Sequence, residues 1–422
     1  MTNRLVSTLA IDPDRLMSSI HKLAQVGQLP NGGVQRLAFS AEDCRARTLV
    51  QQWMQDAGMI VRIDAAGNII GRYPGVFNDA PPLVTGSHID TVPNAGHYDG
   101  TYGVLAGIEV VRVLAERRRR LDHPLEVIVF ADEERSMLGC KALAGQLLPD
   151  PELYRGRNGD PVDACLARVG GNWDAIAEVQ RPLGSMTAFV ELHVEQGPVL
   201  ESVSKQIGVV TGIVGQRRYW MTVDGQSSHA GTTPMSMRKD ALVAASQVVL
   251  AVDRIGNQTG DQVATVGKML LHPNVPNSIP GRIEMSLDIR DLSSDRLDTL
   301  IAQVQSEIHL IAAQTQTHIH LEQRLNNEPA PANSHIQSAI AHACEDLQLS
   351  YYHLPSRASH DAQEMARITD MGMIFVPSEG GISHSEQEYT SLEACAQGAN
   401  VLLHTLMRID RHYRCAGGLG SA

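Results

Sequence analysis

Three things are scarce in this chain, and each scarcity removes a class of explanation. No stretch of its 422 residues approaches the unbroken run of about 20 apolar residues that a membrane-spanning helix requires, although 43% of the residues are hydrophobic. Residues 1–10 lack a basic start followed by a long apolar run and a small-residue cleavage site, so neither secretion nor membrane insertion is expected and the cytoplasm is the expected location. The six cysteines (Cys44, Cys140, Cys165, Cys344, Cys395, Cys415) are scattered, without Cys-x-x-Cys spacing, in a chain too long to depend on disulfides; they read as reduced thiols. Positive charge is also scarce. A formal net charge of -12 argues against nucleic acid or an anionic membrane surface as a partner. The one basic run, residues 117–120, follows an amphipathic helical pattern and suits the negative end of its dipole. No internal repeat or low-complexity segment is evident.

What is present is an alternation of strands and helices. The chain exceeds the size at which one core usually keeps growing, so two domains are expected. Ser40 can cap a helix whose apolar positions Ala46, Leu49, Val50, Trp53, Met54 and Ala57 recur at helical spacing, with Gly58 ending it. An extended piece over 67–71, a strand over 83–85 running into Gly86-Ser87-His88, a helix over 103–118 and a strand over 125–130 follow. Such an order predicts an α/β domain, whose polar site residues belong at strand C-terminal ends. From about Thr211 the pattern becomes strand (219–223), helix (239–254), strand (263–271), strand (282–290), helix (294–313), strand (318–325): the βαββαβ order of a ferredoxin-like α+β unit. Residues 329–332 read as a linker, after which a helix (335–346), a strand (373–376) and a helix (391–407) resume the first style. The expected organisation is a discontinuous catalytic domain, 1–212 and 331–422, with residues 213–330 inserted.

Among the 17 histidines, three stand with carboxylates in glycine-flanked turns or at strand ends. His88 lies in Gly86-Ser87-His88-Ile89-Asp90, Asp99 in His97-Tyr98-Asp99-Gly100, Glu134 after Glu133, His193 in Glu191-Leu192-His193-Val194-Glu195-Gln196-Gly197, and His384 in Gly380-Gly381-Ile382-Ser383-His384. Imidazole and carboxylate without thiolate suit zinc, manganese, cobalt or nickel in a catalytic centre. Five ligands serve two metals only if a carboxylate bridges them, and Asp99 is the natural bridge. The adjacent carboxylates Glu133 and Glu134 would repel each other in a pocket unless a cation neutralises one. That points to Glu134 as a ligand and Glu133 as the general base toward water. Asp90, two residues beyond His88, either orients that imidazole or caps a turn.

At these residues the sequence resembles the di-zinc amidohydrolases of the aminoacylase and carboxypeptidase superfamily, in their hydantoinase/carbamoylase branch. The resemblance runs from Phe39 to about Met407. Its strongest pieces are Asp64-Ala65-Ala66-Gly67-Asn68, Gly86 through Thr91-Val92-Pro93, Glu191 through Pro198, His229-Ala230-Gly231-Thr232-Thr233-Pro234-Met235, Pro276-Asn277-Ser278-Ile279-Pro280-Gly281 and Gly381 through His384. It implies two divalent metal ions per subunit, zinc foremost, with His88, Asp99 and His193 on one and Asp99, Glu134 and His384 on the other. Glu133 is then the catalytic acid/base, and Gln196, Gln216, His229, Asn277 and Arg290 are substrate-binding, His229 also assisting catalysis. Arg290 offers a fork to a substrate carboxylate, while His229 and Asn277 can donate to the oxyanion. Arg290 could equally pair with Asp288 or Asp291.

The implied fold is a mixed-sheet metallohydrolase domain carrying a ferredoxin-like lid and dimerisation domain, whose closure completes the site, in a homodimer. The implied reaction is hydrolysis of the carbamoyl or ureido C–N bond of a small molecule: an N-carbamoyl-L-amino acid, allantoate, ureidoglycolate or N-carbamoyl-β-alanine. A deacylase or dipeptidase on the same scaffold, and a catalytically silent binding protein, are the competing readings. Two segments depart from the branch pattern, Arg135-Ser136-Met137-Leu138-Gly139-Cys140 and Arg357-Ala358-Ser359-His360-Asp361. The ligands survive both departures; the substrate preference does not transfer through them.

Overall fold

The computed structural model describes residues 9–258, 260 and 262–416, the last two by backbone alone. Residues 1–8 and the Cys415 side chain, on which two of the expectations above fall, lie outside the described residues. The remaining five cysteines are free thiols, four of them buried. Among the described residues no helix is long and apolar enough to cross a membrane. The chain divides into two compact units, Met1–Gly212 with Ala332–Ala422, and Ile213–Pro331.

The first unit contains α1 (Pro13–Ala24), α2 (Ala41–Asp56), β1 (Ile60–Ile63), β2 (Ile69–Tyr73), β3 (Leu83–His88), α3 (Thr101–Glu116), β4 (Leu125–Phe130), α4 (Leu138–Ala144), α5 (Val162–Arg168), β5 (Ala188–Val194), α6 (Val199–Ser202) and β6 (Ile207–Ile213). After the insertion come α9 (Ser334–Asp346), β15 (Tyr351–Ser356), α10 (Asp361–Met365), β16 (Met371–Val376) and α11 (Leu392–Ala416). The mixed sheet runs β1-β2-β4-β3-β5-β16-β6. Its centre is parallel: β3 pairs with β4 and β5, and β16 with β5, in the same direction. These four strands are buried at every residue, because helices cover both faces of a parallel sheet. One large apolar core joins α1, α2, α3, α9 and α11 to the sheet. A smaller cluster packs Phe39 against α4 and α5. The Ser40 hydroxyl accepts from the Asp43 amide at 3.1 Å and caps α2 as the sequence suggests.

The second unit comprises β7 (Gly215–Asp224), β8 (Ser228–His229), α7 (Ala241–Gly256), β9 (Val263–Thr265), β10 (Met269–His272), β11 (Ser278–Ile279), β12 (Arg282–Asp291), α8 (Ser294–Thr315) and β13 (His318–Asn327), and ends on β14 (Ala330–Pro331). Its main sheet is antiparallel in the order β10-β12-β7-β13, so β12 and β7 lie at the centre. Strand β12 alternates as its sequence demands: Ile283, Met285, Leu287 and Ile289 are buried with the apolar faces of α7 and α8. The single strand expected over 263–271 is broken in two. Thr265 faces Asp288 and Met269 faces Met285, so three residues oppose two, a bulge around Gly267 that a continuous apolar pattern does not announce. The expected linker at 329–332 includes β14, and the Ala332 amide returns to the Thr211 carbonyl at 3.0 Å.

Candidate active site

The parallel centre of the first sheet delivers its C-terminal ends to one place. His88 ends β3, Glu133 and Glu134 follow β4, His193 lies near the end of β5, and the loop after β16 carries His384. The Asp99 carboxylate sits among them with its two oxygens turned to different partners. Oδ1 is 3.2 Å from His193 Nε2 and 3.6 Å from His88 Nε2, whereas Oδ2 is 3.1 Å from His384 Nε2. Glu134 Oε2 lies 3.7 Å from His384 Nε2 on that second side. Two triads result, His88/Asp99/His193 and Asp99/Glu134/His384, each with its ligand atoms within 4.8 Å of one another.

The tautomers of the two buried histidines suit metal binding. His88 Nδ1 is 2.9 Å from the Asp90 carbonyl and His193 Nδ1 is 2.8 Å from the Val194 carbonyl. A carbonyl only accepts, so each Nδ1 carries the proton and each Nε2 lone pair faces Asp99. Asp90 therefore steadies His88 through its main chain. Its carboxylate instead accepts from the Glu133 and Glu134 amides, at 3.4 and 3.2 Å, and caps that turn.

The electrostatics call for positive charge. Its hydrogen bond to the Asp99 carboxylate raises His384 to about 9 against its burial, and Glu134 adds to this. His88 is also pulled upward: burial opposes, but Glu133, Asp99, Asp90 and Glu134 outweigh it. Burial pushes Glu134 up to about 7, with Asp99 adding to it. Divalent cations would satisfy these carboxylates while leaving the imidazoles neutral. Glu134 Oε1 and Gln196 Oε1 are buried without a hydrogen-bond partner, as oxygens awaiting a cation or ligand would be. The donor set thus fits hard-to-borderline metal ions. Glu133 Oε2 lies 3.5 Å from His88 Nε2, beside the triads and in neither. Burial pushes its carboxyl well above the usual range; His88 opposes this, and Asp361, Glu134 and Asp90 reinforce it.

Gly100 shows how tightly the site is packed. It adopts φ 61°, and a Cβ there would fall 2.3 Å from His88 Nε2. Asp132, Gln196 and His384, all around this centre, also hold positive φ, at 57°, 57° and 54°.

The residues suggested for substrate binding fall into two units. Gln196 belongs to the Asp99 cluster itself, its Nε2 donating to Asp99 Oδ2 at 2.7 Å. The other four lie in the second unit as two pairs. Gln216 and Arg290 face each other across β7 and β12, and both hold Asp288, Arg290 through Nε at 2.9 Å. Pairing of Arg290 with Asp288, the alternative its sequence offered, is therefore present. His229 and Asn277 are joined where β8 meets β11, the Ala230 amide donating to the Asn277 carbonyl at 3.0 Å. The Gly231 and Thr232 amides donate to His229 Nδ1 at 3.1 and 3.2 Å, which places the ring proton on Nε2 and makes that atom a donor.

Several supports were not foreseen. Glu388 is buried and accepts from the Tyr98 and Asp99 amides at 2.8 and 3.1 Å. Ser383 Oγ bridges Asp99 Oδ2 and Glu388 Oε2 at 3.3 and 3.1 Å. Glu191 accepts from Ser87 Oγ and the Ala362 amide, at 2.8 and 2.9 Å. The His360 ring packs edge-on against His193 with centroids 4.6 Å apart, and both Asp361 oxygens are buried without a hydrogen-bond partner. Glu191, two residues before His193 on one strand, could have been found from strand periodicity. Glu388 carries no such signal.

The chain is similar to known proteins over nearly its whole length. Residues 84–408 match the family described as Peptidase family M20/M25/M40. An N-carbamoyl-L-amino acid amidohydrolase of Geobacillus stearothermophilus is 39% identical over 404 residues, covering 94% of this chain and 99% of its own. A ureidoglycolate hydrolase of Arabidopsis thaliana is 36% identical over 96% of this chain and 88% of its own. The crystal structure of a hydantoinase/carbamoylase family amidase from Burkholderia multivorans superposes with a TM-score of 0.89 at 38% identity, covering 95% of this chain and 98% of that one. The chain belongs to the M20/M25/M40 peptidase family and, within it, to the hydantoinase/carbamoylase amidases.

Proposed function

We propose that this protein hydrolyses the carbamoyl or ureido C–N bond of a small ureido acid, using two divalent metal ions, zinc foremost, held by His88, Asp99, His193, Glu134 and His384. The observation that carries the reading is the Asp99 carboxylate, each oxygen facing a separate ligand set, with Glu133 set beside them. The near full-length similarity to enzymes named for carbamoyl and ureido substrates supports the bond type. Bound cations would polarise the scissile carbonyl and make water a nucleophile at neutral pH. Glu133 takes the proton from the attacking water and returns it to the leaving nitrogen. His229, with its proton on Nε2, and Asn277 donate to the oxyanion that develops, and Gln196 holds Asp99 and contacts substrate. Arg290, oriented by Asp288 together with Gln216, receives the substrate carboxylate. For an N-carbamoyl amino acid, one water converts the substrate to the free amino acid, carbon dioxide and ammonia.

Ammonia release from a panel of N-carbamoyl-L-amino acids, allantoate, ureidoglycolate and N-carbamoyl-β-alanine tests the reading, with N-acetyl amino acids as the comparison. Turnover of the N-acetyl compounds alone would replace it with a deacylase. An Arg290→Ala enzyme is expected to show a raised KM for carboxylate-bearing substrates; an unchanged KM removes Arg290 from the scheme. The chain assembles as a homodimer through its second unit, where β10 and β13 lie at sheet edges, and light scattering of the eluted protein measures this.

A further inference from the structure

The segment before α2 holds a guanidinium in an unusual setting. Arg36 is 2% exposed and ranks among the largest fully buried side chains of the protein. Its donors go chiefly to main-chain oxygens: Nε to the Ile89 carbonyl at 2.6 Å, and Nη1 to the Leu23 and Val26 carbonyls at 3.2 and 3.0 Å. Nη2 reaches Thr101 Oγ1 at 3.1 Å. Burial lowers its pKa to about 10, with Asp43 and Asp90 opposing, so the group remains charged at neutral pH. Burying a charged group without an ion pair is costly, and here hydrogen bonds from all three guanidinium nitrogens offset that cost and set its role.

The acceptors show what that is. Ile89 follows His88 directly, and Thr101 lies two residues beyond Asp99, at the start of α3. The same segment is stitched to the loop between β3 and α3 by its main chain as well. The Arg36 amide donates to Thr91 Oγ1 at 2.8 Å, the Thr91 amide to the Arg36 carbonyl at 2.9 Å, and Val34 and Ala95 exchange both their hydrogen bonds. The two ends of the single loop between β3 and α3 therefore meet on one rigid, planar fork. The carbonyls of Leu23 and Val26 anchor that fork to the end of α1.

We propose that Arg36 is a positioning residue of the metal centre, setting the separation of His88 and Asp99 by clamping Ile89 and Thr101 on a single guanidinium. The proposal rests on the two-metal reading. It assigns to Arg36 no contact with substrate or metal. Lysine cannot replace it, because an ammonium offers three donors from one point whereas these acceptors are met by three separate nitrogens.

The test compares wild-type enzyme with Arg36→Lys and, as a milder variant, Thr101→Val, which deletes one acceptor only. Cobalt(II) affinity is measured by chelator competition, and the d–d absorption of the cobalt-substituted enzymes reports ligand geometry. Arg36→Lys is expected to weaken cobalt binding by about 10–100-fold, the range seen when groups supporting metal ligands are removed, with an altered spectrum. Its kcat falls while KM stays within about two-fold, and Thr101→Val moves the same way by a smaller factor. If Arg36→Lys lowers thermal stability but leaves cobalt affinity and spectrum at wild-type values, Arg36 is a packing residue and the proposal is overturned. Should Arg36→Lys fail to fold, Thr101→Val decides: an unchanged affinity and spectrum refute the clamp. A wild-type enzyme without metal-dependent absorption overturns the two-metal reading itself, a result distinct from normal wild-type binding with unaffected variants.

Discussion

Replacing Gly100 by alanine probes the centre with a single methyl group. The added Cβ would lie 2.3 Å from His88 Nε2 and 2.4 Å from both neighbouring ring carbons, whereas ordinary contact begins at 3.4 Å. The imidazole must therefore retreat by 1.1 Å, the difference of those two distances, or the turn must open by as much. A metal–nitrogen bond is only about 2.0–2.1 Å long, so such a retreat removes His88 as a ligand. Loss of a ligand is expected to cost at least about 100-fold in metal affinity, or about 2.8 kcal/mol at 1.4 kcal/mol per tenfold. The backbone penalty is separate and smaller: an alanine at positive φ costs about 1–2 kcal/mol. Gly58→Ala provides the control, since Gly58 has φ 86° and nothing within 4 Å of its added Cβ. Both variants should melt a few degrees below wild type, but only Gly100→Ala should lose metal in elemental analysis and activity with it. Wild-type metal content and affinity in Gly100→Ala would refute the assignment of His88 and the packing argument together.

Glu133→Gln should retain its metals, because Glu133 belongs to neither triad, while kcat falls by about 100- to 10,000-fold; full activity after metal reconstitution would refute its role as base. Asp99→Asn should weaken both metal positions together, since each oxygen of Asp99 faces a different ligand set, and elemental analysis would show well under one metal per chain. Chelation should abolish activity and added divalent metal restore it. Buried Asp43, raised to about 6 by burial with Asp90 adding and Arg47 and Arg36 opposing, makes a pH-dependent contribution to stability. The folded state binds this proton more tightly than the unfolded chain does. The contribution is therefore fully present below about 3.9 and is lost as pH rises through about 6, on the order of 3 kcal/mol in all. Asp43→Asn should gain stability relative to wild type across that window in urea titrations; a pH-independent difference would contradict the shift.

Local sequence suffices for most of the elements and for the residue types of the candidate ligands. Periodicity is a local property, so the strict alternation of β12 and the helical spacing of α2 are readable without neighbours; the β12 face is buried, as are Ala46, Val50 and Met54 of α2, with Leu49 and Trp53 partly so. Ligand chemistry admits few residue types, and glycine-flanked histidines and carboxylates at strand ends mark the candidate metal ligands before any fold is known. Tertiary structure decided what depends on where two distant atoms meet. Glu388 acts on the amides of Tyr98 and Asp99, and Arg36 on Ile89 and Thr101; hydrogen bonds across such separations leave no periodic trace. Asp90 both orients His88, by its carbonyl, and caps the turn after β4, by its carboxylate; spacing leaves these two roles as alternatives, because the direction of a main-chain oxygen depends on a turn that composition does not encode. The break between β9 and β10 arises from a one-residue mismatch against β12, which exists only once the strands are paired. Arg290 is held by Asp288 in the folded second unit, a choice between two neighbouring acidic residues that spacing alone left open.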